Sequence, residues 1–228
     1  GCDANKDQSY FLFALGRERL ARAFFPLGGL RKPEVRARAA ALGLPCATRP
    51  GSQDACFGGG EGFAEALRRH FGDAARGGEL LAPDGRLLGP HAGLHRYTIG
   101  QRRGLGVALG RPAWVSAIDA ARAEVTVTTR EEDLLAAGLV AQDPTWLVEP
   151  PDAGEPVSCE VQVRYRARPV PAEATVSPDG CLTVRFSAPV RAVTPGQAAV
   201  LYRGERVLGG AWITAALPGS LAPRTDPR

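Results

Sequence analysis

Val157, Cys159, Val161, Val163 and Tyr165 alternate with Ser158, Glu160, Gln162, Arg164 and Arg166. A side-chain period of two is the mark of a strand with one buried and one wet face. The stretch therefore predicts a strand from Val157 through Tyr165 in a sheet with a single core-facing side. Its surroundings repeat the theme. Ala198 to Tyr202 and Arg206 to Ile213 are apolar runs separated by Arg203-Gly204-Glu205, and Pro178-Asp179-Gly180 supplies turn chemistry between two more strand-like runs. Short strands at such spacing predict a small barrel or sandwich from about Leu139 to Leu217. The proline-rich stretch from Pro218 to Arg228 is expected to be a disordered tail.

Upstream the texture changes. Trp114 to Ile118 and Glu124 to Thr128 predict a β-hairpin. From Lys6 to about Leu44 the spacing is helical, with Tyr10, Phe11, Ala14 and Leu15 recurring three to four residues apart. A second helix opens at Pro33 and Glu34, carries Val35, Ala39 and Leu42 on one face, and stops at Gly43. This part reads as the tail of an α/β domain whose strands mostly lie upstream of Gly1. Phe63 and Leu67 suggest one more short helix; glycine and arginine then dominate to about Arg111, and no periodicity assigns elements there.

Composition bounds the function classes. A 228-residue chain with 44% hydrophobic content suits one or two domains with a real core. No apolar run approaches the roughly 20 residues of a spanning helix, and the first residues lack a signal peptide's layout, so no membrane role is expected and the expected location is the cytoplasm. The chain has no methionine and reads as a fragment or processed piece. Cys2, Cys46, Cys56, Cys159 and Cys181 are odd in number and include no C-x-x-C pair, which indicates neither a disulfide scaffold nor a zinc knuckle. Net charge is +4, and Lys6 and Lys32 are the only lysines. Arginine forks onto phosphates and stacks on bases, so this balance points to a nucleic-acid partner, although genomic base composition shifts lysine toward arginine too. Between Arg86 and Ile118 there is no acidic residue, whereas Arg86, Arg96, Arg102, Arg103 and Arg111 are interleaved with His91, His95 and Tyr97. Such a run can track a phosphate backbone, with a solvated basic loop as the alternative. His91 and His95 lack a third ligand nearby, and Gly104, Gly106 and Gly110 lack the spacing of a dinucleotide loop.

The chemically distinctive cysteine is Cys56. It lies in Gly51-Ser52-Gln53-Asp54-Ala55-Cys56-Phe57-Gly58-Gly59-Gly60, polar on one side and released into a glycine run on the other. A structural cysteine usually has apolar neighbours at strand or helix spacing; a working thiol needs partial exposure and room for a second chain.

Six blocks then carry a family resemblance: Asp3 through Leu12, Phe25-Pro26-Leu27-Gly28, Ser52 through Phe57, Tyr97 through Gly106, Val163 through Arg166, and Ala192 through Gln197. In this order they resemble the tRNA-specific 2-thiouridylases of the MnmA/TrmU family across almost the whole chain. The resemblance implies ATP-dependent replacement of the wobble-uridine oxygen by sulfur, with tRNA as substrate and a sulfur-relay protein or cysteine desulfurase as partner; the protein is expected to be a monomer. It implies the C-terminal part of an adenine-nucleotide α-hydrolase-like domain over residues 1–57, a small mixed tRNA-contacting domain over 58–130, and a C-terminal β-barrel like the second domain of elongation factor Tu over 131–217, before the tail at 218–228. By the same resemblance Cys56 receives the persulfide and later forms a disulfide with a first catalytic cysteine. Lys6, Asp7 and Gln8, the pair Arg164 and Tyr165, and Gln197 match tRNA contacts, and Arg102 and Arg103 are added on charge alone. Pattern favours Arg164 over Tyr165, which falls on the apolar face of its strand. Asp7 also suits a helix start, where the dipole favours a carboxylate.

The family's Ser-Gly-Gly-x-Asp-Ser loop for ATP and Mg²⁺ and its first cysteine do not occur in this chain, and Cys2 stands in a different context, so the chain is expected to be inactive alone. Two positions depart from the family pattern: Gly51 replaces an acidic residue, and Gly209-Gly210-Ala211 replaces a triple glycine. A non-catalytic tRNA-binding module and a persulfide carrier without an RNA substrate are the alternative readings.

Overall fold

The computed structural model describes residues 1–49 and 77–219. The Cys56 loop, the helix expected near Phe63 and the tail beyond 219 lie outside the described residues. Cα packing divides the chain into two compact units. One comprises Gly1–Ala55, Ala141–Leu182 and Ala198–Trp212; the other comprises Cys56–Val140, Thr183–Gln197 and Ile213–Arg228.

The N-terminal segment is helical, as its spacing predicts, but in shorter pieces. Ser9–Leu15 is a 3-10 helix, continued by α1 (Gly16–Ala21), and α2 spans Lys32–Ala41. The start of α2 is built by two carboxylates. Lys32 N–H donates to Asp3 Oδ2 at 2.9 Å, and Arg31 N–H to Glu34 Oε2 at 2.6 Å, which satisfies amides that have no helical partner. Gly43 ends the helix at φ 66°, with Leu44 N–H returning to Ala39 O at 2.9 Å. Val35 and Ala39 are half-buried, but Leu42 is 74% exposed, so the expected apolar face is two residues wide.

Ten strands follow. β1 (Gly78–Leu81), β2 (Leu87–His91), β3 (Trp114–Asp119) and β4 (Glu124–Thr128) form a four-stranded sheet in the order β2-β1-β4-β3. β3 and β4 are the predicted hairpin; β1 and β2 lie in the stretch without periodicity, and β1 pairs in parallel with β4. A Cβ at Gly78 would fall 1.8 Å from the Ala123 carbonyl oxygen, so only glycine lets this strand lie where it does. Leu80, Val115, Val125 and Val127 are buried together under the sheet, with Leu105 and Ala113 from the connecting loop.

β5 (Leu135–Trp146), β6 (Pro156–Gln162), β7 (Val170–Val176), β8 (Leu182–Arg191), β9 (Ala198–Arg203) and β10 (Arg206–Pro218) close into a barrel in the order β10-β5-β8-β7-β6-β9, leaving no free edge. Of the two forms expected for this region, barrel or sandwich, the chain adopts the barrel. The turns fall where the sequence places them, with Gly180 at φ 83° and Gly204 at φ 58°. β10 extends through Pro218, one residue into the expected tail.

One strand prediction overruns. β6 ends at Gln162, and Arg164 through Arg166 turn away, with Arg166 at φ 64°. The alternation continues past the last ladder bond because Tyr165 finds an apolar partner outside the barrel. β9 is buried at five successive residues, Ala198 to Tyr202. Ala198, Val200 and Tyr202 cluster with Tyr10 and Phe13 of the 3-10 helix, which explains why this strand shows no polar alternation.

Candidate nucleic-acid interface

In the first unit, the Lys6–Gln8 block and the Arg164–Tyr165 pair come together. The Tyr165 hydroxyl donates to the Asp7 carbonyl oxygen at 3.4 Å across 158 residues of chain. The Tyr165 ring packs 4.7 Å from Phe11 and 5.9 Å from Tyr10 between centroids, and the Arg166 guanidinium lies over the Tyr165 ring, 5.3 Å from its centroid. Tyr165 is thus the bolt between the barrel turn and the helical segment. Gln162 Nε2–H donates to Arg164 O at 3.1 Å and Ala167 N–H to the same oxygen at 3.1 Å, so the turn carrying Arg164 is fixed from two directions.

Asp7 is also spent on the fold. Its Oδ1 accepts the Ser9 amide at 2.7 Å, and Oδ2 lies 3.2 Å from the Gly1 nitrogen. Burial opposes ionisation, but the Ser9 hydrogen bonds and the Gly1 ammonium outweigh it and hold the carboxyl below its usual range. That leaves Lys6, Gln8 and Arg164 as the exposed members of the five, around a contact made by Asp7 and Tyr165. Sequence reasoning missed Phe11. It is 52% exposed beside Tyr165, because a 3-10 helix with three residues per turn rotates it off the face that a 3.6-residue period assigns. The signal was present only in the cluster Tyr10-Phe11 with Tyr165, which no local spacing links.

The second unit holds Arg102, Arg103 and Gln197. Tyr97 through Gly106 is a scaffold for the two arginines. Gln101 N–H donates to Thr98 O at 2.9 Å, closing a turn with Gly100 at φ 84°. The Gln101 side chain accepts the Thr98 amide at 2.9 Å and donates to Arg103 O at 2.9 Å. Gly100 has a second constraint, since a Cβ there would fall 2.8 Å from that of Ala192. Arg102 and Arg103 are both exposed on this frame. Gln197 is an exposed turn residue whose N–H meets Thr194 O at 3.3 Å and whose carbonyl accepts Ile213 N–H at 2.8 Å.

His91, considered as a metal ligand, is committed elsewhere. Gly93 N–H donates to its Nδ1 at 3.1 Å, so Nε2 carries the proton and donates to Ala123 O at 3.0 Å. Among the other cysteines, Cys2 and Cys46 are exposed, while burial pushes the Cys159 thiol up to about 11 and also raises Cys181, which sits beside Asp179. Cys159 and Cys181 are therefore held as thiols, the poorly nucleophilic form.

Three family models match the chain in succession: a tRNA methyl transferase HUP domain over residues 1–60, a tRNA methyl transferase PRC-barrel domain over 64–129, and an aminomethyltransferase beta-barrel domain over 136–213. Helical segment, mixed sheet and closed barrel follow one another in the order of these three domains. The tRNA-specific 2-thiouridylase MnmA of Geobacter metallireducens is 48% identical over 95% of this chain and 58% of its own length. Those of Geotalea uraniireducens and Sorangium cellulosum are 43% and 44% identical, over 95% and 97% of this chain and 57% and 58% of their own lengths. The chain belongs to the tRNA-specific 2-thiouridylase family and spans a little over half the length of these relatives.

Proposed function

We propose that this chain holds tRNA and receives, at Cys56, the sulfur that a tRNA 2-thiouridylase delivers to the wobble uridine. The observation that carries the reading is the meeting of the Lys6–Gln8 and Arg164–Tyr165 blocks at one hydrogen bond, in a chain matching relatives named for tRNA 2-thiolation. Exposed Lys6 and Arg164 offer charge to phosphate, and Gln8 can hydrogen-bond base edges or ribose hydroxyls.

The chemistry suits a thiol in the Cys56 context. Its thiolate attacks the outer sulfur of a donor persulfide, forming Cys56–S–SH and releasing the donor as a thiolate, with no net oxidation. Delivery of that sulfur to carbon at the sulfide level needs two electrons, which come from a second protein thiol as it closes a disulfide with Cys56; an external thiol reductant then resets the pair. The target base has to leave the anticodon stack, at a cost of a few kcal/mol that is least in a loop. The described residues offer no phosphate loop for ATP and Mg²⁺, so activation of the base is assigned to none of them.

The test is peptide mass spectrometry after incubating the chain with a cysteine desulfurase, cysteine and a sulfur-relay protein. One additional sulfur on Cys56, and none on Cys159 or Cys181, is the expected result. A folded chain that binds tRNA yet takes up no sulfur at Cys56 reduces the function to a tRNA-binding module, and sulfur uptake without tRNA binding reduces it to a carrier.

A further inference from the structure

The basic run of the second unit is folded around two cavities, and one charged side chain belongs to both. The first, of about 420 Å³, is walled by the loop from Arg102 to Ala113; its charged residues are Arg102 and Arg111, with no carboxylate. The second, of about 260 Å³, lies between that loop and the β1–β2 turn and is lined by Arg86, Arg111 and Arg130, with Asp84 as its acidic residue. Leu109 and Arg111 line both.

The counter-charges are largely spoken for. Asp84 Oδ1 accepts the Arg86 amide at 3.0 Å, and Arg130 is paired with Glu132 at 2.9 Å and Asp133 at 3.7 Å. Among the described residues neither Arg102 nor Arg111 has an ion-pair partner. The loop holding them is anchored: Leu105 and Ala113 are buried in the sheet's apolar cluster and Leu109 packs against it. Tyr97 Oη–H reaches Leu105 O at 3.5 Å, and Gly104, Gly106 and Gly110 take φ of 71°, 76° and 68°, which lets the chain wind tightly around the first cavity. Two unpaired guanidinium groups held at the rim of a cavity without carboxylates select an anion with several oxygens, because the guanidinium fork matches phosphate geometry. Two adjoining cavities sharing one arginine suit successive phosphates of one strand better than a single free anion.

We propose that Arg111 is the central phosphate contact of this unit, flanked by Arg102 and Arg86, and that the ligand is the RNA backbone. The inference rests on the tRNA-binding reading above and adds a residue and a location to it. Arg103, the neighbour expected from charge to act with Arg102, lines neither cavity.

Filter binding of a tRNA transcript to the full chain across a range of potassium chloride tests it. Arg111→Ala and Arg102→Ala should each weaken binding about tenfold at low salt, the loss of one charge-assisted hydrogen bond. Each should make the salt slope shallower by about 1. Arg111→Lys should restore the slope without restoring the full affinity, because the charge returns but the fork does not. Arg122→Ala, in the β3–β4 turn beside Asp119, removes equal charge and should change neither. Arg111 is exposed, so equal thermal melting of the variants checks that folding is unaffected. Arg111→Ala with the parent's slope overturns the proposal, and a weakened Lys6→Ala/Arg164→Ala double variant in the same assay shows that the tRNA reading survives it. An unchanged slope with slower sulfur loading from the relay protein assigns these arginines to a protein partner and also overturns it. A parent chain that binds no tRNA at any salt removes both readings.

Discussion

At the residue scale, the side chains chosen for tRNA contact divide into those that face outward and those that hold the interface in shape. Tyr165 belongs to the second group, because its ring packs on Phe11 and Tyr10 and its hydroxyl bond at 3.4 Å is long. Tyr165→Phe is therefore expected to keep tRNA affinity within about twofold, less than one ordinary hydrogen bond. Tyr165→Ala should lower stability by about 2 kcal/mol, below the full cost of a buried aromatic because the residue is half-buried; thermal melting beside filter binding separates the two effects. Asp7→Ala should cost about 1 kcal/mol of stability, the worth of the hydrogen bond it accepts from the Ser9 amide, and Asp7→Asn much less because the asparagine side-chain oxygen can accept the same bond. The Asp7 carboxyl is held low, so its contribution is full above the usual carboxylate range and lost as pH falls through the lowered value. Acid unfolding of Asp7→Asn should lack that component. Tyr10 gives the opposite sign. Burial pushes its hydroxyl, which donates to Ala198 O at 2.9 Å, from 10.0 up to about 12, so its contribution is full below pH 10.0 and lost as pH rises toward 12. Tyr10→Phe should cost about 1–2 kcal/mol near neutral pH by leaving that carbonyl unpaired, and should flatten the alkaline loss in denaturant titrations, leaving the part due to Tyr202, also raised by burial.

At the element scale, β9 and β10 show why part of the fold was legible and part was not. The hairpin was readable from two apolar runs and a glycine turn. The close approach inside it was not, because it depends on Phe13, almost 200 residues from Gly210 in sequence. A Cβ on Gly210 would fall 2.7 Å from Phe13 Cδ2 and 2.7 Å from Ala199 O, whereas Ala211, where the family pattern has glycine, is fully buried with its methyl accommodated. Gly210→Ala should cost about 1–3 kcal/mol by overpacking. Its coupling to Phe13→Leu in a double-mutant cycle should be favourable, since the smaller side chain yields space; additivity of the two changes would show that the backbone contact alone is responsible. β1 and β2 were illegible for a related reason. Gly89 and Pro90 in β2 have little strand preference, and β1 is held by parallel pairing to β4, a contact that no local window contains.

At the scale of the whole molecule, the proposed role is partial by chemistry. The chain carries Cys56 but no phosphate loop of the Ser-Gly-Gly-x-Asp-Ser type. Alone, with tRNA, ATP and a sulfur donor, it is expected to form no 2-thiouridine; joined to the remaining upstream portion of a relative such as that of Geobacter metallireducens, it should form it, and Cys56→Ser should abolish the product. Nucleoside mass spectrometry reads both outcomes, and a joined Cys56→Ser protein with normal turnover would falsify the sulfur-receiving role. The sequence by itself determined the strand period, the glycine turns, the basic run without acids and the six motif blocks, because each is written in neighbouring residues or in residue type. Only the tertiary structure decided that Tyr165 bolts onto Asp7, that Asp7 binds the Ser9 amide while Lys6 and Gln8 stay exposed, and that Arg111 lines two cavities. Those facts depend on which distant surfaces meet and on which carboxylates are already engaged, and burial and pairing are properties of the folded chain.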